Sequence, residues 1–247
     1  DVLTGSLSRA TGEDVGVYAI NSTLTNPNYE ITFLPADLNI TAKALTVTAD
    51  AKTKVYGESD PFLGYQITSG ALIGSDELTG ALLRAAGEGV GRYAIGQNDL
   101  TAGANYALTY AGANLNITLG ALTVTANTGQ SKVYGATDPT LTYTISGFVN
   151  GDTEADLDTP VTISRAIGED VASDYTITPS AADSDYTVSF VTTDFSISPK
   201  GVTVTADAQT KVYGGLDPVF TYQASLEGSD VLTGSLSRAT GEDVGVY

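Results

Sequence analysis

The sequence predicts an all-β fold, in which tandem immunoglobulin-like β-sandwich modules follow one another in an elongated array. Three observations lead to this prediction: a long internal repeat, alternation of apolar and polar residues in short segments, and turn residues about every ten positions. The chain has 247 residues, so length alone would allow one or two domains. The internal repeat overrides that expectation.

The repeat is marked by the tetrapeptide KVYG, whose tyrosines Tyr56, Tyr134 and Tyr213 lie 78 and 79 residues apart. A threonine-alternating run, ALTVTA or GVTVTA, precedes each copy, and Asp-Pro follows each copy after two residues. Segments that resemble RATGEDVGVYAI, NYALTY and LNIT then follow in fixed order. We therefore divide the chain into the C-terminal half of a module at 1–42, complete modules at 43–119 and 120–199, and the N-terminal portion of a module at 200–247.

Alternation within each module predicts half-buried strands. In LTVTA, Leu45 and Val47 fall on one face and the threonines on the other, and Tyr106, Leu108 and Tyr110 share a face of the strand in NYALTY. In the module at 43–119 we predict strands near 44–49, 53–56, 62–68, 79–85, 92–96, 105–110 and 114–118.

Residues 75–87, SDELTGALLRAAG, are the one stretch with a helical interpretation, in which Ser75 caps a helix with a leucine stripe. The matching segment of the next module, NGDTEADLDTPVTISRA, contains Pro160 and several β-branched residues. We therefore predict a strand for the second half of this stretch.

KVYG and the Asp-Pro that follows are typical of a β turn. Gly57 can adopt a positive φ, Asp60 can accept a backbone hydrogen bond, and Pro61 fixes the exit of the turn. Positions 58 and 59 change from Glu-Ser to Ala-Thr to Gly-Leu among the copies, whereas a ligand loop would need a polar group of fixed identity. We predict an architectural turn formed by Tyr56, Gly57, Asp60, Pro61, Tyr134, Gly135, Asp138, Pro139, Tyr213, Gly214, Asp217 and Pro218.

Composition excludes several function classes. The net charge of −18 opposes binding to nucleic acid, which requires clustered Lys and Arg. The chain has no apolar run long enough to span a membrane. Without His or Cys no nucleophilic triad can form, and the acidic clusters recur in several modules although a catalytic cleft occurs once per enzyme. We expect neither catalytic activity nor a cofactor.

Two binding hypotheses remain open. The loop NGDTEADLD could present Asp152, Glu154, Asp156 and Asp158 to calcium, although its spacing matches no EF-hand and a solvated acidic loop is the favoured interpretation. The tyrosines could stack on sugar rings, but most occupy repeated strand positions, including Tyr29, Tyr106 and Tyr186, where we expect a core or tyrosine-corner role.

The ordered set of LTVTA, KVYG with Asp-Pro, Gly-Ser-Asp, and NYALTY followed by LNIT resembles the MBG repeat family of the YGX type. The resemblance covers essentially the whole chain. The module at 120–199 departs from the pattern, because it lacks the GSDxLTG form and has SDYTI in place of GxYAI. The family occurs in tandem in very large secreted bacterial adhesins, so the resemblance implies a non-catalytic stalk or filament at the bacterial cell surface, or an adhesive module for a surface glycan or protein.

The two ends of the chain have the same sequence. Residues 1–18 are identical to 230–247, an offset of 229 residues, whereas the internal modules differ at many positions. We expect a super-repeat of three modules in a longer, filamentous array, in which Ala-Ile-Asn-Ser would follow Tyr247 as it follows Tyr18. The expected partners are adjoining modules of the same chain or copies of the chain arranged head to tail.

Overall fold

The structure, a computed structural model, describes all residues 1–247 and contains strands, turns and a single 3-10 turn, but no α-helix. We call the stretches 1–42, 43–119, 120–199 and 200–247 the first to fourth repeats. The first repeat contains β1 (Leu7–Arg9), β2 (Gly16–Ser22) and β3 (Asp37–Ile40). The second contains β4 (Lys43–Ala49), β5 (Lys52–Val55), β6 (Tyr65–Ser69), β7 (Leu83–Arg84), β8 (Gly91–Gly96), β9 (Tyr106–Ala111) and β10 (Ala113–Thr118). The third contains β11 (Gly120–Ala126), β12 (Ser131–Val133), β13 (Tyr143–Ser146), the 3-10 turn Glu154–Asp156, β14 (Thr159–Arg165), β15 (Ala172–Ala182), β16 (Tyr186–Val191) and β17 (Thr193–Ser198). The fourth contains β18 (Thr205–Ala206) and β19 (Tyr222–Gln223).

Backbone contacts divide the chain into two compact units. Unit 1 consists of Asp1–Leu122, Gly147–Asp158 and Asp183–Thr187. Unit 2 consists of Thr123–Ser146, Thr159–Ala182 and Val188–Tyr247. The first and second repeats therefore belong to unit 1 as a whole, together with three short segments of the third repeat, 120–122, 147–158 and 183–187.

Two mixed sheets build the second repeat. One has the order β6-β4-β9, in which β4 runs antiparallel to β6 and parallel to β9. The other has the order β5-β10-β8-β7, in which β10 runs parallel to β5 and antiparallel to β8. The third repeat has the same two sheets in the same order, β13-β11-β16 and β12-β17-β15-β14. The predicted all-β fold is therefore confirmed, and the repeated sequence gives a repeated topology.

Both sheets of the second repeat contribute to one hydrophobic core. Val47 on β4 packs in the same cluster as Ile95 on β8 and Leu115 on β10, and all three are essentially inaccessible. Leu45, on the same face of β4 as Val47, is also buried, as the alternation predicted. In unit 2 the core cluster of the third repeat is formed by Ala126, Ile177, Phe195 and Ile197.

The segment at 75–87 contains no helix and less strand than predicted. Only Leu83–Arg84 forms a strand, and Thr79 makes an isolated bridge with Thr101. Gly80, between them, has φ of 90°, and a Cβ there would overlap the carbonyl of Asp99. The backbone turns at this glycine, so the bridge and the strand are not continuous.

The repeated strand tyrosines differ in burial. Tyr106 and Tyr186 are 8 % and 4 % exposed, as expected for core positions, whereas Tyr29 is 60 % exposed. Tyr106 begins β9, which pairs with β4, but the stretch 1–42 contains no LTVTA-like strand with which Tyr29 could pair. The core expectation is therefore wrong for Tyr29. No helix in the structure has the length and apolar character needed to cross a membrane.

Candidate functional site at the repeated turn

The buried lysine of KVYG lies in an ionic network whose carboxylates are partly exposed to solvent. Lys54 is 5 % exposed, and its Nζ lies 2.7 Å from Asp60 Oδ1 and 2.6 Å from Glu88 Oε2. Arg84 binds the same two carboxylates, with its Nε 2.5 Å from Asp60 Oδ2. We call these four side chains the turn network, because they connect KVYG and Asp-Pro to the RAAGE segment.

The turn network recurs along the chain. The chain has only 11 Lys and Arg residues, and seven of them occupy network positions. In the first repeat only the Arg9–Glu13 pair is present. The third and fourth repeats contain the full set, formed by Lys132, Asp138, Arg165 and Glu169 and by Lys211, Asp217, Arg238 and Glu242.

Alternating charges stabilise the ionised forms in the network. Hydrogen bonds from Arg84 and then Lys54 lower the pKa of Asp60 to about 2. Burial lowers the pKa of Lys54, but its bonds to Asp60 and Glu88 outweigh this effect, and the pKa is raised. A buried ammonium without such partners would be strongly unfavourable, so each lysine depends on its carboxylates.

The arginine also fixes the loop that follows it. Arg84 donates from one terminal nitrogen to the carbonyls of Ala85 and Gly87, at 2.9 and 2.5 Å, and its guanidinium lies 5.3 Å from the centre of the Tyr93 ring. Gly87 has φ of 135°, and a Cβ there would overlap the Tyr93 ring. The same cation–π pair occurs in the other repeats as Arg9 over Tyr18, Arg165 over Tyr175 and Arg238 over Tyr247.

The turn itself has the backbone that its glycine permits. Gly57, Gly135 and Gly214 have φ of 88°, 78° and 79°. The expectation that Asp60 accepts a backbone hydrogen bond is wrong. Its oxygens are bonded instead by Arg84 and Lys54, whose charges bind a carboxylate more strongly than an amide does.

The tyrosine of KVYG reaches the following repeat. The hydroxyl of Tyr56 donates to Asp152 Oδ2 at 2.9 Å, and the hydroxyl of Tyr134 donates to Asp230 Oδ2 at 2.8 Å. Both pairs are 96 residues apart. Tyr213 is 71 % exposed. Sequence reasoning did not identify these pairs, although an aspartate stands at this point in each repeat.

The four calcium candidates do not converge. Asp152 accepts the tyrosine hydroxyls, Asp156 accepts from the backbone and hydroxyl of Thr153 at 2.8 Å, and Asp158 accepts from the amide of Ser184 at 2.8 Å. Glu154 is also engaged in an interaction. No three acidic side chains are grouped so that they could hold a metal ion.

The sequence profile of the MBG domain (YGX type) matches the chain four times, at 1–39, 45–116, 122–196 and 202–247. The matches leave only short gaps, and each gap lies at a boundary between the repeats described above. Among curated proteins, none matches the chain.

Proposed function

Because the chain belongs to the MBG domain family of the YGX type, we propose that it is a non-catalytic structural segment of an extracellular bacterial adhesin stalk or surface filament. The observation that carries the proposal is the repeated use of the same polar side chains. The turn network of the second repeat has its counterpart in the third and fourth repeats, with the same partners at each position. A protein selected for repetition of a stable unit needs this uniformity.

The titration behaviour of the side chains supports a structural role. Perturbed pKa values cluster at catalytic sites, where one or two groups are adjusted for proton transfer. Here Asp60, Asp138 and Asp217 all have a pKa lowered to about 2 by the arginine and lysine that bind them. A pKa shift that recurs at the same position of three repeats is best explained by folding of the repeat.

A cavity in the fourth repeat also supports this interpretation. It has a volume of about 720 Å³, and its wall includes Phe220, Leu236 and Tyr247. The corresponding residues of the second repeat, Leu63, Leu82 and Tyr93, belong to its hydrophobic core. The wall of the cavity is therefore made of core positions, not of residues that are special to the fourth repeat.

The third repeat diverges most clearly from the others in the loop at 147–160, and loops that differ between repeats are typical of binding modules. Residues Gly147–Asp158 of this loop belong to the same compact unit as the second repeat. Val149 and Asp152 of this loop contact the turn of the preceding repeat, so the divergence supports a structural use of this loop.

Location is tested with antibodies raised against the folded 247-residue chain. We expect these antibodies to label intact cells of the source bacterium without permeabilisation. Labelling that required permeabilised cells would contradict the extracellular proposal. Binding of the purified chain to a glycan array or to host matrix proteins would instead favour an adhesive module over a stalk.

A further inference from the structure

We propose that the tyrosine of each KVYG turn joins its repeat to the next one, by docking onto an aspartate in a loop of the following repeat. At the first such joint, Tyr56 is half-buried and its hydroxyl donates to Asp152 Oδ2. Tyr186, from the same repeat as Asp152, donates to the same oxygen at 2.7 Å. The two tyrosine rings pack edge to face with centroids 5.3 Å apart.

The second joint has the same pair in a different sequence context. Tyr134 donates to Asp230, although the loop around Asp230 reads GSDVLTG and the loop around Asp152 reads NGDTEAD. The loops share little besides glycine and the aspartate. The recurrence of the contact therefore depends on the tyrosine–aspartate pair and not on similarity of the loops.

The glycine of KVYG shows how closely the next repeat approaches. A Cβ on Gly57 would overlap the side chain of Val149, and a Cβ on Gly135 would overlap the side chain of Glu227. A Cβ on Gly214 would meet nothing within 4 Å. The three turns share the same positive φ, so the difference lies in the neighbouring loop and not in the turn.

Burial of the tyrosines follows the same division. Tyr56 and Tyr134 are half-buried, whereas Tyr213, against which no loop is packed, is 71 % exposed. The turn alone therefore does not bury its tyrosine. The burial comes partly from the core of the tyrosine's own repeat, against which Tyr56 and Tyr134 pack, and partly from the loop that contains Asp152 or Asp230.

A second contact supports the joint. The amide of Val90 donates to Asp185 Oδ1 at 2.5 Å, and at the corresponding place in the preceding repeat the amide of Val15 donates to Asn105 Oδ1 at 2.8 Å. Asp185 lies beside Tyr186 in the sequence. The third repeat is thus held at two points, Asp152 and Asp185, whereas the second repeat shows only the Asn105 contact and the fourth only the Asp230 contact.

The electrostatics of the joint favour a charged acceptor. Burial, followed by the hydrogen bond to Asp152, raises the pKa of Tyr186 to about 12, so its hydroxyl remains a donor at neutral pH. The hydrogen bond to Asp230 raises the pKa of Tyr134. Hydrogen bonds from neutral donors to a carboxylate are stronger than those between neutral groups.

The joint shows how consecutive repeats are held together. Only the inference that it serves a stalk or filament rests on the proposed function. The joint is tested by amide hydrogen exchange on the full 247-residue chain. The amides of Asp152 and Asp230 report on the two loops, because they donate to Val149 and Glu227 at 2.9 and 3.0 Å. In Tyr56→Phe we expect the Asp152 amide to exchange about tenfold faster, as loss of a hydrogen bond to a charged group requires, with the Asp230 amide unchanged.

Matched variants separate the joint from the turn. Tyr134→Phe is expected to accelerate exchange of the Asp230 amide alone, and Tyr213→Phe is expected to change neither loop. In the Asp152→Ala variant, the additional substitution Tyr56→Phe is expected to cause no further change in the exchange rates of the loop. The proposal is overturned if Tyr56→Phe alters only amides of its own turn, such as Glu58, or alters none. Neither result would affect the proposed extracellular location, which is tested separately with antibodies.

Discussion

Asp60 is held from both sides, with Lys54 Nζ 2.7 Å from one oxygen and Arg84 Nε 2.5 Å from the other. The lysine of KVYG and the aspartate of Asp-Pro are therefore two parts of one ionic network, which explains why both recur while the two residues before the aspartate vary. The arginine that completes the contact comes from a different strand, so the network fixes the turn to the sheet β5-β10-β8-β7.

Removal of the shared carboxylate is predicted to destabilise the second repeat. In Asp60→Asn the ammonium of Lys54 stays buried with only Glu88 as a charged partner, and we expect a loss of about 2 kcal/mol in the free energy of unfolding. Urea unfolding measures this loss. The matched control is Asp50→Asn, since Asp50 lies 3.7 Å from Lys52 in a more exposed pair, for which we expect less than about 1 kcal/mol. Equal effects of the two substitutions would refute a special role for the network.

The lowered aspartate pKa values predict an acid dependence of stability. Asp60, Asp138 and Asp217 have a pKa of about 2 in the folded chain, whereas an unfolded aspartate has a pKa of about 3.9. Between these values the unfolded state binds more protons, so the contribution is fully present above about pH 4 and is lost as the pH falls towards 2. Unfolding measured from pH 2 to pH 6 checks this. The variant with all three aspartates replaced by asparagine is expected to show a flatter dependence, and an unchanged slope would contradict the assignment.

The two constraints on the turn glycine can be separated by substitution. Gly57→Ala and Gly214→Ala both impose a positive φ on alanine, which costs about 1 kcal/mol. Only Gly57→Ala also forces a methyl group into Val149, so we expect its repeat to lose about 1 kcal/mol more than the fourth repeat loses in Gly214→Ala. Exchange-derived opening free energies of the two turns give the comparison. Equal losses would mean that Val149 moves aside freely.

Chelation is predicted to leave stability unchanged. Asp156 and Asp158 are engaged by Thr153 and Ser184, and Asp152 by two tyrosine hydroxyls, so these carboxylates are committed to protein donors. We expect the same melting midpoint with EDTA and with added calcium chloride. A midpoint lower by more than about 10 °C in EDTA, equivalent to about 2 kcal/mol for repeats of this size, would favour the calcium hypothesis.

Much of the fold was readable from local sequence. The alternation in LTVTA determines which side of β4 is buried, and Leu45 and Val47 are buried for that reason. The helical interpretation of residues 75–87 was set aside correctly, but the extent of the strand was not predictable, because the turn at Gly80 depends on the close approach of Asp99. The burial of Tyr29 was predicted wrongly, because alternation of apolar and polar residues in its own segment does not bury a side chain without a partner strand.

The polar contacts of the turn were less accessible to sequence reasoning. The residues of each turn network are separated by up to 37 positions, and Tyr56 and Asp152 are separated by 96, so no local pattern connects them. The sequence does show that a few charged residues are the same in repeats that otherwise differ, and this pattern indicates that they contact one another. Asp152 is present where its loop diverges, and the structure explains this by two tyrosine donors, Tyr186 of its own repeat and Tyr56 of the preceding one.

Small-angle X-ray scattering tests most directly the central proposal, that the chain is a segment of a stalk or filament. The comparison is between chains that carry one and two copies of the 229-residue period. For a stalk or filament we expect the maximum dimension to about double while the cross-sectional radius of gyration stays constant. Growth of the radius of gyration by only about 1.3-fold, as in a compact globule of twice the length, would contradict it.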